Sequence, residues 1–452
     1  MKPMSLVLFV IILLSACSQD SQDSVAQING RSIGVDEFVF AYETSPRSVI
    51  AGPKESAYRN VLDRITQRIL LAQEAEKRGL VSDSSTQREL RQLEDSAIRR
   101  ELFKQHIRNQ VEVSEADCRD AFRKSQQTLW AQHTILDQRA SPELDKWNPE
   151  WEHVSISPSV KSMKTAEFGL LDLVTWNDLD QNLEDILFSL EVGELTSPIF
   201  KDQAYHIFRL VNIESNQMLS ENEFHLQQDH FRSALNKRRE HALAFQFVQD
   251  VMQPEQLIIR RKTLDQLSHF LWQQLEAESL KAQFPGELNT LPNTLDDMEL
   301  DELATYASGK LTVDDFRFYY RMNPYELSNT SLNDLQNSLV NAIGIYVRDI
   351  VFAEKGRAED LSEIASVQED FSYWKERLLA AKLENAIKES VVASSGTETE
   401  QAVQAASQEF DQLCESLTKN AKIRVNKKVL MSIQTSDEGL GRKIDFFAGY
   451  LN

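Results

Sequence analysis

The chain has 452 residues, room for about three domains on ordinary domain sizes. Apolar residues make up 41% and charged residues 26%, and with only 14 glycines and 11 prolines this predicts helices around a sizeable core rather than a turn-rich all-β fold. A net charge of −21 lacks the basic footprint that phosphate backbones require, so nucleic acid is excluded as a partner, and it disfavours tight contact with anionic lipid.

Residues 1–16 read as an export signal. Lys2 precedes the run LVLFVIILL, which is short for a membrane span. Leu14-Ser15-Ala16-Cys17 resembles a bacterial lipobox, and the resemblance implies cleavage before Cys17 and lipidation of its sulfur. An ordinary signal peptide followed by a chance cysteine is the alternative. Residues 17–24 would be the anchor's tether, and SQDSQDS within them has no periodicity. Ser18, in place of Asp, points to the outer membrane of a two-membrane bacterium, on its periplasmic face. Export permits disulfides, but Cys118 and Cys414, both at apolar helical positions, read as buried free thiols, with a bridge between them as the alternative.

The chain then repeats itself. VDEFVFAY (35–42) matches VDDFRFYY (313–320), each after a short β-like run with a glycine, Gly30 or Gly309. Ala75-Glu76-Lys77 matches Ala353-Glu354-Lys355, and 37 residues separate Phe38 from Ala75 and Phe316 from Ala353 alike. In the first copy Leu62, Ile65, Ile69 and Ala72 form one helical stripe, which Gly79 ends after Lys77 and Arg78. A second helix is expected from about Ser85 to Gln110, and Ser114 with Asp117 reads as a capping box. QLIIRRKTL (256–264) parallels KIRVNKKVL (422–430), each a short strand leading into a helix. The expected division is a discontinuous helical module, 25–127 with 217–275, a linker over 276–297, and a second helical module over 298–452.

Residues 128–216 interrupt the first module. TLWAQHTIL (128–136) reads as a strand, EFGLLDLVTW (167–176) as another, and LEDILFSLEVGELTSPIFKDQAYHIFRLV (183–211) as a helix, a Gly193 turn, a Ser197-Pro198 step and further strands.

That last segment resembles the C-terminal half of a parvulin-type (PpiC) peptidyl-prolyl isomerase domain, with the family's "GevS.pv" and "yHii" elements at 193–199 and 205–208. His133-Thr134-Ile135-Leu136 resembles the family's first strand, and 171–176 its "GdLGwf" segment. A helical frame split by such a domain resembles the SurA- and PrsA-like extracytoplasmic chaperones. The resemblance implies a mainly α protein with a small α+β insert: two SurA-like helical modules, the first interrupted by a parvulin roll. It also implies an apolar proline slot of Leu173, Trp176, Leu179 and Leu183 with Phe188 behind, and a His133–His206 pair beneath it. It implies no cofactor and no metal, because twisting an X-Pro bond over its barrier of about 18–20 kcal/mol needs neither.

Departures from the pattern imply a degenerate parvulin. Both glycines of "GdLG" are replaced, by Leu171 and Val174. Residues 137–166 carry Pro142, Pro149 and Pro158, poor material for the family's helices. The Cys or Asp of active members has no counterpart there, and Asp172 is the nearest carboxylate. No metal-ligand spacing, phosphate loop or nucleophile elbow is present elsewhere. Three readings stand. The chain is a lipid-anchored chaperone for unfolded, proline-containing exported or outer-membrane polypeptides; or an active isomerase; or a structural subunit docking on a partner in an envelope assembly, for which the aromatic tail KIDFFAGYLN (443–452) is a possible contact.

Overall fold

The computed structural model describes residues 24–137, 170–201, 204–215, 220–279, 301–395 and 400–435. The signal, Cys17, the proline-bearing stretch 138–166 and the aromatic tail lie outside these residues. In chain order the elements are β1 (Ala26–Ile28), β2 (Arg31–Ile33), α1 (Val35–Glu43), α2 (Arg47–Ile50), α3 (Lys54–Lys77), α4 (Ser84–His106) and α5 (Glu115–Ser125). Then follow β3 (Gln127–Asp137), β4 (Leu170–Thr175), α6 (Gln181–Ser189), β5 (Ile199–Lys201), β6 (Ala204–Ser215) and α7 (Glu221–Met252). The rest is β7 (Ile258–Ile259), α8 (Arg261–Ser279), β8 (Glu302–Tyr306), β9 (Gly309–Thr312), α9 (Val313–Met322), α10 (Leu332–Ala358), α11 (Ala365–Ser395), α12 (Glu400–Asn420), β10 (Ile423–Val425) and α13 (Lys427–Ser432). Among the described residues no helix is long and apolar enough to cross a membrane.

The described residues fall into two compact units, one built from the chain up to Lys104 and from Val248 onward, the other from Gln105–Phe247. The first unit is the duplicated helical part. Each repeat opens with a hairpin. β1 and β2 turn through Asn29 and Gly30, whose φ of 47° and 96° suit a tight two-residue turn. β8 and β9 pair likewise, with Tyr306 opposite Gly309. The helix stops work as the sequence implies: Gly79, at φ 79°, ends the α3 turn in the left-handed region, and Asp360, at φ 58°, does the same after α10.

The ladders cut across the modular division expected from sequence. β10, at the end of the second repeat, pairs with β1 of the first, placing Ala26 opposite Val425 and Ile28 opposite Ile423. β7, which follows the first repeat, pairs with β8 of the second. The helices follow suit. Leu71, Ala72 and Ala75 of α3 pack on Leu379, Leu383 and Ile387 of α11, and Arg68 of α3 bonds Glu376 of α11 at 3.2 Å. Gly356 and Arg357 of α10 meet Ile98 and Asp95 of α4. The unit therefore consists of two lobes, each taking its first half from one repeat and its second half from the other. The first lobe is β1, β2, α1, α3, α11, α12, β10 and α13; the second is β8, β9, α9, α10, α4, β7 and α8. This is a domain swap within one chain. The physical reason is that the repeats carry similar faces, so each half can close on its own repeat or on its twin, and the connections and particular contacts decide.

The lobes have separate cores. Val25, Ile28, Ile33, Phe38, Tyr58 and Ile65 centre the first; Leu303, Leu311, Phe316, Leu339, Ile343 and Tyr346 centre the second. Cys414 is half-buried, with Gln67 Nε2 donating to its Sγ at 3.1 Å, and its thiol, like that of the buried Cys118, is free.

Candidate functional site: the roll between α5 and α7

The second unit holds the roll together with α5 and most of α7, so the compact body is larger than the 128–216 insert expected from sequence. The reason is an aromatic seam. Phe122 and Cys118 of α5 pack on Phe224, Phe231 and Leu235 of α7, and Trp176, just past β4, joins them with its ring 4.9 Å from that of Phe231. Ser114 and Asp117 form the capping box that starts α5, as their spacing predicts.

The roll is a four-stranded sheet in the order β4-β3-β6-β5, all neighbours antiparallel. β3 and β6 are its long central pair. Between them sits a bulge at Trp130/Ala131, which resets the register so that His133 opposes Phe208 and Ile135 opposes His206. His133 and His206 are thus diagonal neighbours on one face. Their rings meet at His133 Nε2 and His206 Nδ1, 2.9 Å apart. The His133 ring also stacks on Phe208, centroids 4.2 Å apart and planes within 7°.

The same face is covered by α6. Asp180 caps this helix by accepting from Leu183 N at 3.0 Å. Leu183 and Leu187 then pack against Leu129, Val174, Phe208 and Leu210, with Leu179 and Phe188 alongside. Beyond α6, Gly193 turns at φ 96° and donates its N–H to Leu210 O at 2.7 Å. Thr196 N–H donates to Phe208 O at 2.8 Å, and Phe208 N–H donates to the Thr196 hydroxyl oxygen at 3.0 Å. These ties explain the Gly turn and the Ser-Pro step: the chain is laced to β6 before it enters β5.

Of the expected slot residues, the structure brings Leu179, Leu183 and Phe188 together in the core under the sheet, where Leu183 is 7% exposed. Leu173 lies on the opposite face, across from Trp130, and is 50% exposed. Trp176 faces the α5–α7 seam. Asp172 lies in β4 opposite Ala131. Sequence reasoning missed one group of this unit. Glu184, 2% exposed in its side chain, receives two hydrogen bonds from Arg238 Nη1, at 3.0 and 3.1 Å, and one from Asn177 N at 2.7 Å. Arg238 of α7 also donates to Leu179 O at 3.0 Å. The i-to-i+1 neighbour of an apolar stripe carries no signal of such a long-range partner.

Chemically the site is an apolar-walled sheet with a pair of bonded imidazoles and no described cluster of metal ligands. Residues 139–212 match the family model of the rotamase, PPIC-type PPIase domain, and the chain carries such a domain. No curated protein matches the chain. Among solved structures, one reported for the SurA-like chaperones PEB4 and Cj1289 of Campylobacter jejuni is 20% identical, covering 51% of this chain and 97% of its own, with a TM-score of 0.23. The PrsA peptidylprolyl isomerase of Bacillus cereus is 17% identical over 49% of this chain and 87% of its own, with a TM-score of 0.20.

Proposed function

We propose that the chain is an extracytoplasmic folding factor that holds unfolded exported polypeptides, outer-membrane proteins among them, and that its parvulin domain serves mainly as a binding surface with weak or no isomerase activity. The observation that carries this reading is the match of residues 139–212 to the isomerase family together with the filling of its apolar face. Val174, where the family pattern has a glycine, is 4% exposed and packs with Leu183 and Leu187. Val174, Leu183 and Leu187 thus support a closed core rather than an open proline slot. The His133–His206 pair, with His133 stacked on Phe208, then acts as a brace between β3 and β6. Lipidation at Cys17 would tether the mature chain to the periplasmic face of the outer membrane, within reach of clients emerging from export.

Two measurements on the mature chain test this. Aggregation of an unfolded outer-membrane protein should be suppressed at stoichiometric amounts, while X-Pro turnover across a peptide series should stay near the uncatalysed rate. Strong turnover that His206→Ala abolishes would establish the enzyme instead. A stoichiometric complex with a single envelope protein, and no suppression of aggregation, would establish the structural subunit. Loss of labelled lipid on Cys17→Ala would support the anchor.

A further inference from the structure

Each lobe ends in the same strand-and-helix corner, but the two corners are charged differently. β10 joins β1 with Val425 opposite Ala26, and β7 joins β8 with Ile259 opposite Ala304, the matching positions of the two repeats. KIRVNKKVLM (422–431) therefore aligns on QLIIRRKTLD (256–265). In the second lobe the arginines of this corner have carboxylates beside them. Arg260 Nη2 lies 3.6 Å from Glu302, and Arg261 Nε lies 3.8 Å from Asp265. In the first lobe Ser24 stands at the position of Glu302, and Met431 at that of Asp265.

The cations of the first corner are accordingly unmatched. Lys422, Arg424, Lys427 and Lys428 are exposed and have no ion-pair partner among the described residues. Lys54 of α3 adds a fifth positive charge, its Nζ donating to Met431 O at 3.3 Å and Ile433 O at 2.8 Å. The neighbouring Glu55 is engaged by Arg59 at 3.5 Å. Apolar side chains lie among these charges. β10 is an outer strand of its sheet, and its Ile423 and Val425 are 39% and 40% exposed. On α13, Leu430 packs into the core, while Met431, three and four residues from Lys428 and Lys427, shares their outward side and is 41% exposed.

The same corner receives the start of the fold. Asn426 N–H donates to Val25 O at 2.9 Å. Seven residue steps separate Cys17 from Ser24, a reach of at most about 25 Å. A lipid on Cys17 would thus keep this basic, partly apolar corner close to the membrane at high effective concentration.

We propose that β10, α13 and Lys54 form a membrane-facing surface, with their cations on anionic phospholipid headgroups and Ile423, Val425 and Met431 among those headgroups. The inference rests on the reading of Cys17 as a lipid anchor and adds an orientation to it. The net charge of −21 does not oppose this contact, because charges more than about 8 Å from the lipid are screened in physiological salt and the nearest groups decide. Repulsion of the acidic remainder turns the rest of the molecule away from the surface.

Vesicle flotation of the mature chain carrying Cys17→Ala, and so no lipid of its own, tests this. Vesicles of phosphatidylethanolamine with phosphatidylglycerol should bind it at least about tenfold more tightly than vesicles of phosphatidylcholine, with an affinity that falls as salt rises. The triple variant Arg424→Glu, Lys427→Glu, Lys428→Glu should lose this binding with the melting curve unchanged. Ser24→Glu with Met431→Asp, which installs the carboxylates of the second corner, should weaken it. Arg260→Glu, Arg261→Glu, Lys262→Glu, the same charge change in the second lobe, should leave it intact. Equal binding to both vesicles, or binding indifferent to the changes at 424, 427 and 428, overturns the assignment. Binding of an alternating glutamate–valine peptide through these cations, without binding of vesicles, also overturns it and makes the free edge of β10 a polypeptide site. Charge-dependent vesicle binding with no labelled lipid on Cys17 in the exported chain would support the corner and overturn the anchor. Labelled lipid on Cys17 with no charge-dependent vesicle binding would overturn the corner and leave the anchor standing.

Discussion

A β-carbon added at Gly356 of α10 would come within 2.3 Å of Ile98 Cγ2 in α4. The two helices belong to different repeats and pack closely within the second lobe. A side chain there requires Ile98 or one of the helices to shift. Gly356→Ala is therefore expected to destabilise the first unit by about 1–3 kcal/mol, despite alanine's better helix propensity. Urea unfolding measures the loss. The double variant Gly356→Ala, Ile98→Ala should recover part of the clash term in a mutant cycle. Additive losses would show that the two side chains do not meet.

The buried Glu184–Arg238 pair makes a second prediction. Removing Arg238 leaves a carboxylate 2% exposed with Asn177 N to hydrogen-bond it and the Lys124 ammonium 4.0 Å away. Arg238→Ala should cost about 3–5 kcal/mol, more than the double variant Arg238→Met, Glu184→Leu, because the stranded charge and not the lost pair dominates. Thermal melts of the three chains decide it.

A third concerns acid. The hydrogen bond from Arg239, with those from Ser114, holds the Asp117 carboxyl at about 2, below its ordinary value of 3.8. A depressed carboxylate stabilises the fold above its unfolded value, and that contribution is lost as pH falls through the folded value. Asp117→Asn should lower stability at neutral pH. The gap to wild type should shrink between 3.8 and about 2. Urea midpoints across that range test it, and a constant gap would refute the linkage.

The histidine pair makes a fourth. A hydrogen bond between His133 Nε2 and His206 Nδ1 needs one nitrogen to donate and the other to accept, so the pair holds one proton between them. Nitrogen-15 spectra should show one protonated and one bare nitrogen at these positions. His206→Ala should cost about 1 kcal/mol by removing this bond and its stacking neighbour. A brace predicts lost stability with client holding intact.

Much of this was legible in the chain itself. The α3 stripe of Leu62, Ile65, Ile69 and Ala72, the Gly79 stop and the Ser114–Asp117 box are local, and each was met by the expected element. The resemblance to the parvulin pattern implied His133 and His206 on neighbouring strands, and the register makes them diagonal neighbours. Trp176 shows where such reading ends. An aromatic residue after a strand is equally at home in a slot or a seam, and Phe231, 55 residues later, decided for the seam.

The sequence by itself determined the helical class, the duplication, the strands of the insert and the turns that punctuate them, because these depend on periodicity and on backbone preferences within a few residues. Only the tertiary structure decided which half of each repeat closes on which. Matching faces make the two closures alike in local energy, so the choice lies in connections and in contacts such as Gly356 with Ile98 and Arg68 with Glu376. Arg88 and Glu369, read along the chain, are two more charges on exposed helix faces. The exchange sets Arg88 against Asp314 and Asp315 of the other repeat and puts Glu369 in one cavity lining with Asp36, where Arg31 and Arg68 bond Glu37.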